Sequence, residues 1–185
     1  IATLVFSLIL VVVTTGVIYF TRGYYRGING SNVQTTVRNA TDIISQSIQF
    51  GSAPVVLPQN VADGQLNQFC AGGYIFTYSI GTLYRDGQTS LDKNPGLYMR
   101  PMTTAACSPL NADQFKDGQQ LLGNNMRIAV LRLEQQNSDG MYQLRLKIAY
   151  GDDDLLTSTT GMNAQCRPGM GSEYCSVAEV TVSAQ

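Results

Sequence analysis

The sequence predicts an α+β fold in which a long N-terminal helix, apolar in its first half and amphipathic in its second, packs on an antiparallel β-sheet. Residues 1–20 contain no charge, proline or histidine. Residues 33–50 place apolar side chains at helical spacing, and from residue 74 onward short runs have the composition and period of strands. These three patterns, in this order, predict one helix followed by a sheet.

The first pattern, residues 1–20, reads IATLVFSLILVVVTTGVIYF and predicts a helix of membrane length. At about 1.5 Å per residue it reaches about 30 Å, the thickness of a bilayer's hydrocarbon core. A secretory signal peptide has a shorter apolar core between a basic region and an A-x-A-like cleavage site, a pattern that this stretch does not show. We therefore expect a helix that spans a membrane.

The helical pattern weakens after this stretch and then resumes. Thr14, Thr15 and several glycines up to Gly30 are poor helix formers, so local unwinding or bending is expected between them. The amphipathic helix 33–50 follows and is expected to end near Phe50, with Gly51 as its C′ residue. Its apolar stripe has helical spacing and consists of Val33, Val37, Ala40, Ile44 and Ile48.

Five later segments are predicted to be strands because β-branched and aromatic residues lie there between turn residues. They are residues 74–80, 96–100, 127–135, 141–150 and 176–184. The segment 141–150 alternates most clearly, with Leu144, Leu146 and Ile148 on one face and Arg145 and Lys147 on the other. Such alternation predicts an antiparallel sheet with one buried side, and the helix 33–50 is its expected cover.

The four cysteines are even in number, and their spacing includes no CxxC pair. Two disulfides, and hence an oxidising compartment, are the favoured interpretation, while the wide spacings disfavour a four-cysteine zinc site. Three pairings are possible. The local pair Cys166–Cys175 would close the glycine- and proline-containing loop RPGMGSEY, and Cys70–Cys107 would then be the second pair.

The expected domain organisation is an apolar helix, residues 1–30, followed by an extracytoplasmic globular α+β domain, residues 31–185. Arg22 and Arg26 follow the apolar stretch, and by the positive-inside rule they would hold that flank in the cytoplasm. The disulfides require the opposite orientation. A basic leader removed just before Ile1 would resolve this conflict, since its charges would have held the N-terminus inside.

A helix of this kind, followed by an antiparallel sheet and a disulfide-closed C-terminal loop, resembles the type IV pilins and their pseudopilin relatives. At the residue level the resemblance rests on the N-terminus IATLVFSLILVVV and on TDIISQSIQF, residues 41–50. It implies that a prepilin peptidase removes a leader and that Ile1 is the methylated N-terminus. It also implies that the N-terminal helix forms the filament core, with Ile1, Leu4, Val5, Leu8 and Val12 as assembly residues.

The chain departs from this family at its fifth residue. Family members commonly carry a glutamate there, which offsets the N-terminal ammonium of a neighbouring subunit, whereas this chain has Val5. A buried unpaired ammonium costs several kcal/mol, so a filament of this chain would have to place the terminus near water, a carbonyl or a partner's acid. Because subunits without this glutamate include tip-located minor members, Val5 favours a minor or tip role.

Catalysis is not expected, and no cofactor or metal is predicted. Histidine is absent, and the chain contains no GxSxG, HExxH, P-loop or GxGxxG motif. Asp152, Asp153 and Asp154 lack the alternating pattern of a calcium loop, so a solvated turn is favoured over a calcium site. A formal net charge of -1 leaves no basic excess, so nucleic acid is not expected as an obligate partner.

The expected function is that of a structural subunit of a type IV pilus-like extracellular filament, serving adhesion, motility or DNA uptake. One alternative is a minor or tip pilin or a type II secretion pseudopilin. Another is a single-pass, membrane-anchored extracytoplasmic binding domain that never polymerises. The expected partners are other copies or other pilins through the N-terminal helix, a prepilin peptidase, and the inner membrane, in which the subunit resides before it joins a cell-surface filament.

Overall fold

The computed structural model of the chain describes residues 2–51, 54–56, 66–86, 96–102, 107, 118–136 and 140–184. These residues form one long helix and antiparallel strands, so the predicted α+β class is confirmed. The helix is α1 (Ala2–Gln49). The strands are β1 (Val55–Val56), β2 (Leu66–Ala71), β3 (Tyr74–Ser79), β4 (Leu97–Pro101), β5 (Gln119–Gln120), β6 (Met126–Gln135), β7 (Tyr142–Tyr150) and β8 (Ser176–Ala184).

Helix α1 runs without interruption for 48 residues, so the unwinding expected between Thr14 and Gly30 does not occur. Its length corresponds to about 72 Å. Each glycine inside a helix lowers the stability of the helix by only about 1 kcal/mol relative to alanine. The regular backbone hydrogen bonds on either side offset this loss. The hydroxyls of Thr14 and Thr15 also bond back to the carbonyls of Leu10 and Val11, at 2.7 and 2.6 Å, and so remain inside the helix.

The C-terminal end of α1 packs closely on the turn between β2 and β3. The helix ends at Gln49, one residue before the predicted position, and the Phe50 amide still donates to the Gln46 carbonyl at 2.9 Å. Close approach requires glycine at the next position, because a Cβ on Gly51 would overlap the backbone of Gly72. Gly72 itself has a φ of 58° and lies against the Ser47 carbonyl.

The strands form two antiparallel sheets, whereas one sheet was expected. Strands β1 to β5 form a meander in chain order, and β6, β7 and β8 form a second sheet, also in chain order. The two sheets meet where Ile80 pairs with Ile128 and Tyr84 pairs with Met126. All five predicted strands are present within two residues of their predicted bounds, while β1, β2 and β5 were not predicted.

The main core lies between α1 and the inner faces of both sheets. The predicted stripe is confirmed, since Val33, Val37, Ala40, Ile44 and Ile48 are all buried. The stripe packs in one cluster with side chains of the two sheets, which include Phe69, Phe76, Tyr78, Leu131, Leu144, Leu146 and Ile148. The rings of Phe69 and Phe76 stack with their centroids 4.8 Å apart.

The outer face of β7 is partly buried too, which differs from the prediction of a sheet with one solvated side. Lys147, assigned to the solvated face, is buried, and so is Ala149, which lies two residues further along the same face. The segment 151–175 folds back over them and forms a second, smaller cluster around Ala149, Leu156 and Cys175. Apolar and polar residues do alternate along β7. This alternation could not predict that the later segment 151–175 covers the second face of the strand.

Candidate assembly surface

The first part of α1, residues 2–20, is the largest exposed apolar surface that the structure describes; we call it the apolar segment. Every residue in it is exposed, and its large hydrophobic side chains are between 47% and 84% exposed. By length and composition this helix is long and apolar enough to cross a membrane. Fully burying one such side chain contributes about 1.5–3 kcal/mol, so the segment strongly favours removal from water.

The residues expected to act in assembly lie on this segment. Leu4, Leu8 and Val12 are spaced by four residues and form one stripe along α1, with Val5 beside it, and all four are exposed. Ile1, the expected methylated terminus, lies outside the described residues. The structure therefore provides an exposed stripe at these positions and leaves their role in assembly as a prediction.

Three hydroxyls of the apolar segment, those of Ser7, Thr14 and Thr15, bond to carbonyls within the helix. Ser7 donates to the Thr3 carbonyl at 2.9 Å, in the same way as the two threonine hydroxyls described above. A polar group without a partner is costly in an apolar environment, so these internal bonds suit the segment to lipid or to a packed helical bundle. These three small side chains thus leave room for close helix approach while their hydroxyls stay hydrogen-bonded.

The segment joins the globular domain at a set of contacts that we call the collar: Arg22, Tyr25 and Asn29 of α1 with Glu173 and Tyr174. Arg22 Nε lies 3.5 Å from Glu173 Oε1. Asn29, only 7% exposed, donates its amide to the Glu173 carbonyl at 3.2 Å. The rings of Tyr25 and Tyr174 lie with their centroids 5.5 Å apart. The collar fixes α1 to the C-terminal loop directly above the apolar segment.

The disulfide Cys166–Cys175 holds the loop side of the collar in place. Glu173 and Tyr174 belong to a short 3-10 turn, Ser172–Tyr174, that ends at Cys175. Cys175 is buried in the smaller cluster on β7, and the backbone of Cys166 forms an antiparallel β-bridge with Leu156. The second disulfide, Cys70–Cys107, starts on β2 near the opposite end of the domain. Both disulfides therefore join the pairs favoured by the sequence.

Two buried cations fasten the segment that covers β7. Arg127, 1% exposed, donates to the Gly151 carbonyl at 2.7 Å and pairs with Asp153. Lys147 donates to the Met162 carbonyl at 2.7 Å and lies 3.5 Å from Glu179. Because buried charges are costly unless paired, both cations hold the covering loop against the sheet. Sequence reasoning did not single out either one, since alternation placed Lys147 in solvent.

The acidic run after β7 is built into ion pairs. Asp152 lies 3.1 Å from Arg85, and Asp153 pairs with Arg127. Within the described parts of the chain, no three acidic, histidine or cysteine side chains are grouped so that they could hold a metal ion. With two of its carboxylates paired with arginines, the run forms a turn that ion pairs hold in place.

Two tyrosines of the domain have raised pKa values. Burial raises the pKa of Tyr78, whose hydroxyl lies in the main core without a hydrogen-bond partner among the described residues. Burial, helped by a 2.8 Å hydrogen bond to Asp86, raises the pKa of Tyr84 to about 12. Both phenols therefore stay neutral at physiological pH and add no ionised group to the surface.

The collar residues of α1 were missed by sequence reasoning, although a signal for them exists. Arg22, Tyr25 and Asn29 continue the buried stripe toward the N-terminus with spacings of three and four residues. The apolar stripe predicted from the sequence begins at Val33, because these three residues are polar or aromatic. Extending the same spacing regardless of polarity would have found the face of α1 that meets the domain.

No family model matches this chain, and no curated protein or solved structure matches it at a significant level. What supports a function is therefore the geometry of the apolar segment and the collar.

Proposed function

We propose that this chain is a structural subunit of a type IV pilus-like extracellular filament that serves adhesion, motility or DNA uptake. The observation that carries the proposal is the apolar segment, a helix that is exposed at every residue and continues without a break into the half of α1 that packs on the sheets. In the filament, the segments of many copies pack into a core and the α+β domains form the outer surface.

The physical basis of the proposal is that the apolar segment needs a partner from outside its own domain. A bilayer provides one partner, because the segment has the length of the hydrocarbon core. When the helix leaves the bilayer, only other apolar helices can replace lipid, and a bundle of N-terminal segments does so. In this proposal the subunit resides first in the inner membrane, is processed there by a prepilin peptidase, as the resemblance to type IV pilins implies, and then assembles.

A minor or tip pilin, or a type II secretion pseudopilin, is the second candidate, and the distribution of carboxylates favours it. Residues 1–41 contain no acidic side chain, so the apolar segment offers no carboxylate to pair with a cation of a neighbouring copy inside a filament core. A subunit at the end of a filament has fewer neighbours around that segment. The lack of a carboxylate in this segment is therefore least costly in a tip or initiating complex.

A single-pass, membrane-anchored binding domain that never polymerises is the third candidate. It requires only that the apolar segment reside in lipid, and its binding surface would be the α+β domain. Deleting the apolar segment would leave the binding activity of such a protein intact, whereas it would abolish assembly of a filament subunit.

Electron microscopy of sheared surface material, with mass spectrometry of its components, tests the proposal. The chain is compared with Val12→Lys, which places a charge in the apolar segment, and with Gln34→Lys, which places the same charge on an exposed position of the same helix. A lysine at the centre of an apolar helix costs about 2.5–3.5 kcal/mol in membrane insertion. We expect filaments from the Gln34→Lys chain and none from the Val12→Lys chain.

Each result assigns the chain to one candidate. Filaments made chiefly of this chain, starting at a methylated Ile1, identify a major subunit. Filaments in which it is a trace component identify a minor or tip subunit. Absence from every filament, with the chain retained in the membrane, identifies the anchored binding domain. Filaments formed by the Val12→Lys chain would disprove packing of the apolar segments in a core.

A further inference from the structure

A groove of about 740 Å³ opens beside the collar, between helix α1 and the disulfide-closed loop. Its walls come from three parts of the chain that lie far apart in sequence: the helix above the apolar segment, the outer face of β7 and β8, and the loop. The side chains that matter for its chemistry are Arg26, Lys147, Arg167, Ser172 and Glu179.

The charges of the groove leave two guanidinium groups without partners. Lys147 lies 3.5 Å from Glu179, and the same carboxylate lies 2.5 Å from Arg145, so the acidic side chain of the groove is already neutralised. Arg26 and Arg167 are exposed, and neither side chain has an ion pair or hydrogen bond among the residues that the structure describes. Two guanidinium groups lining one groove match the planar, multidentate recognition of a phosphate group.

The groove lies at the depth of lipid headgroups when the apolar segment spans a bilayer. Arg26 follows Phe20 by six residues, which places its backbone about 9 Å beyond the end of the segment. The headgroup layer of one leaflet is about 5–8 Å thick. Helix side chains lean toward the helix N-terminus, here the membrane, and a long arginine side chain reaches several ångströms further in that direction.

The loop is held at the same level by the collar. Glu173 contacts Arg22, which follows Phe20 by two residues, or about 3 Å along the axis. Met170 lies three residues before Glu173 in the same loop and is 95% exposed. An exposed apolar side chain beside a basic groove is the combination that binds an interface of headgroups and acyl chains.

We propose that this groove binds the phosphate of an anionic phospholipid in the leaflet from which helix α1 emerges. The inference rests on the membrane-inserted stage of the proposed function and adds a lipid site to it. Arg26 from the helix and Arg167 from the loop hold the headgroup between them, so the domain is oriented on the membrane before assembly. Free phosphate offers the same chemistry, but the depth of the groove favours the lipid.

The test uses the full chain in nanodiscs that contain equal amounts of phosphatidylglycerol and phosphatidylcholine. After gentle extraction in detergent, mass spectrometry counts the phosphatidylglycerol molecules retained per chain. Each basic residue near a membrane contributes roughly a fivefold preference for anionic lipid, so we expect the double variant Arg26→Gln/Arg167→Gln to lower retention about 30-fold. The charge-preserving Arg26→Lys/Arg167→Lys variant should keep most of the preference.

The matched control is Arg132→Gln, which removes an exposed arginine from β6. Met126 lies at the membrane-proximal end of the sheet. Arg132 follows Met126 by six residues along β6, so Arg132 is about 20 Å farther from the bilayer. Retention should not change in this variant. Equal retention by all variants with both disulfides intact would overturn the proposal, and displacement of the lipid by inorganic phosphate would assign a soluble anion instead.

Failure of the proposed function is recognised separately. If the unmodified chain is released from vesicles by alkaline carbonate, the apolar segment does not span the bilayer, and the membrane stage fails together with the lipid site. If the chain resists carbonate but shows no preference for phosphatidylglycerol, only the lipid site fails.

Discussion

The two halves of helix α1 are continuous in backbone and opposite in the way their apolar side chains are used. In the apolar segment, hydrophobic residues cover every face and all are exposed. In residues 29–49, one stripe is buried against the sheets and the other faces are polar. A helix with apolar residues on every face therefore needs a partner from outside its domain, whereas a single apolar stripe is buried within the chain.

The collar is the point at which one arrangement changes into the other. Arg22 and Asn29 lie on the same face as the buried stripe, but they contact the loop through polar atoms. Such contacts tolerate water and headgroups, so they suit a boundary between lipid and a folded domain. The comparison therefore predicts three classes of substitution effect: on assembly alone, on the junction, and on domain stability.

The largest loss of domain stability is expected from a cavity under the buried half of helix α1, residues 29–49. Ile44→Ala removes a fully buried side chain from the stripe, which costs about 2–5 kcal/mol of unfolding free energy. The matched variant Leu8→Ala truncates an exposed side chain of the apolar segment and should leave that free energy unchanged. Denaturant unfolding of the full chain in detergent, followed by near-ultraviolet circular dichroism, measures both.

A loss of stability in Leu8→Ala similar to that in Ile44→Ala would contradict the comparison, since it would mean that the apolar segment packs on its own domain. Assembly gives the reverse test, because only the substitution in the apolar segment is expected to weaken filaments without unfolding the domain.

The helix and most strands were predictable because their signals are local. A stripe at helical spacing and the alternation of a strand can both be recognised from a few consecutive residues, as in Val33–Val37 or Leu144–Leu146. Strand β2 was missed because Asn67 to Ala71 are all buried, so the segment LNQFCA has no alternation to detect. The division into two sheets was missed because the period of a strand says nothing about its neighbours.

The collar and the covered face of β7 were not predictable for a different reason. Both depend on contacts between residues far apart in sequence, such as Asn29 with Glu173 and Lys147 with Met162. The cysteines were the one long-range signal in the sequence. They showed that the C-terminal loop is tied down, but not that it would reach the helix.

Removal of the Cys166–Cys175 disulfide is expected to have the next largest effect and to loosen the junction specifically. The residues are nine apart in sequence, so their cross-link contributes about 3 kcal/mol by the chain-entropy estimate. In Cys166→Ser/Cys175→Ser, amide hydrogen exchange of residues 22–29 should accelerate, because Glu173 and Tyr174 are no longer held against them.

The control is Cys70→Ser/Cys107→Ser, which opens a larger loop, of sequence separation 37, away from the collar. It should cost a comparable free energy, about 4 kcal/mol, but leave exchange at residues 22–29 unchanged. If both variants accelerated exchange there equally, the collar would depend on overall stability and not on its own loop.

A smaller effect is expected from the collar hydrogen bond itself, and two asparagines of one helix isolate it. Asn29→Ala removes the bond to the Glu173 carbonyl, which contributes about 0.5–1.5 kcal/mol. Asn39→Ala changes an exposed position and gains only helix propensity, about 0.5 kcal/mol. Because both variants share that gain, the difference between their unfolding free energies measures the Asn29 side chain at the collar, that is, its hydrogen bond together with its burial. Identical values would show that the bond adds nothing.

The smallest effect on domain stability at neutral pH is expected from Tyr78→Phe. At high pH the same variant should change the pH dependence of that stability. The Tyr78 hydroxyl lies in the core without a described partner, so its removal should change the unfolding free energy by less than about 1 kcal/mol at pH 7. Burial raises the pKa of Tyr78 above the ordinary tyrosine value of 10.0, so the folded domain keeps a proton that the unfolded chain releases.

The folded state therefore binds more protons than the unfolded state above pH 10, and domain stability should fall as pH rises from there. Tyr84, whose pKa is raised to about 12, contributes in the same direction. In Tyr78→Phe the slope of unfolding free energy against pH between 10 and 11 should be shallower, as measured by denaturant unfolding at each pH. A slope equal to that of the unmodified chain would mean that Tyr78 reaches solvent, and the buried half of α1 would then cover its core less completely than the structure shows.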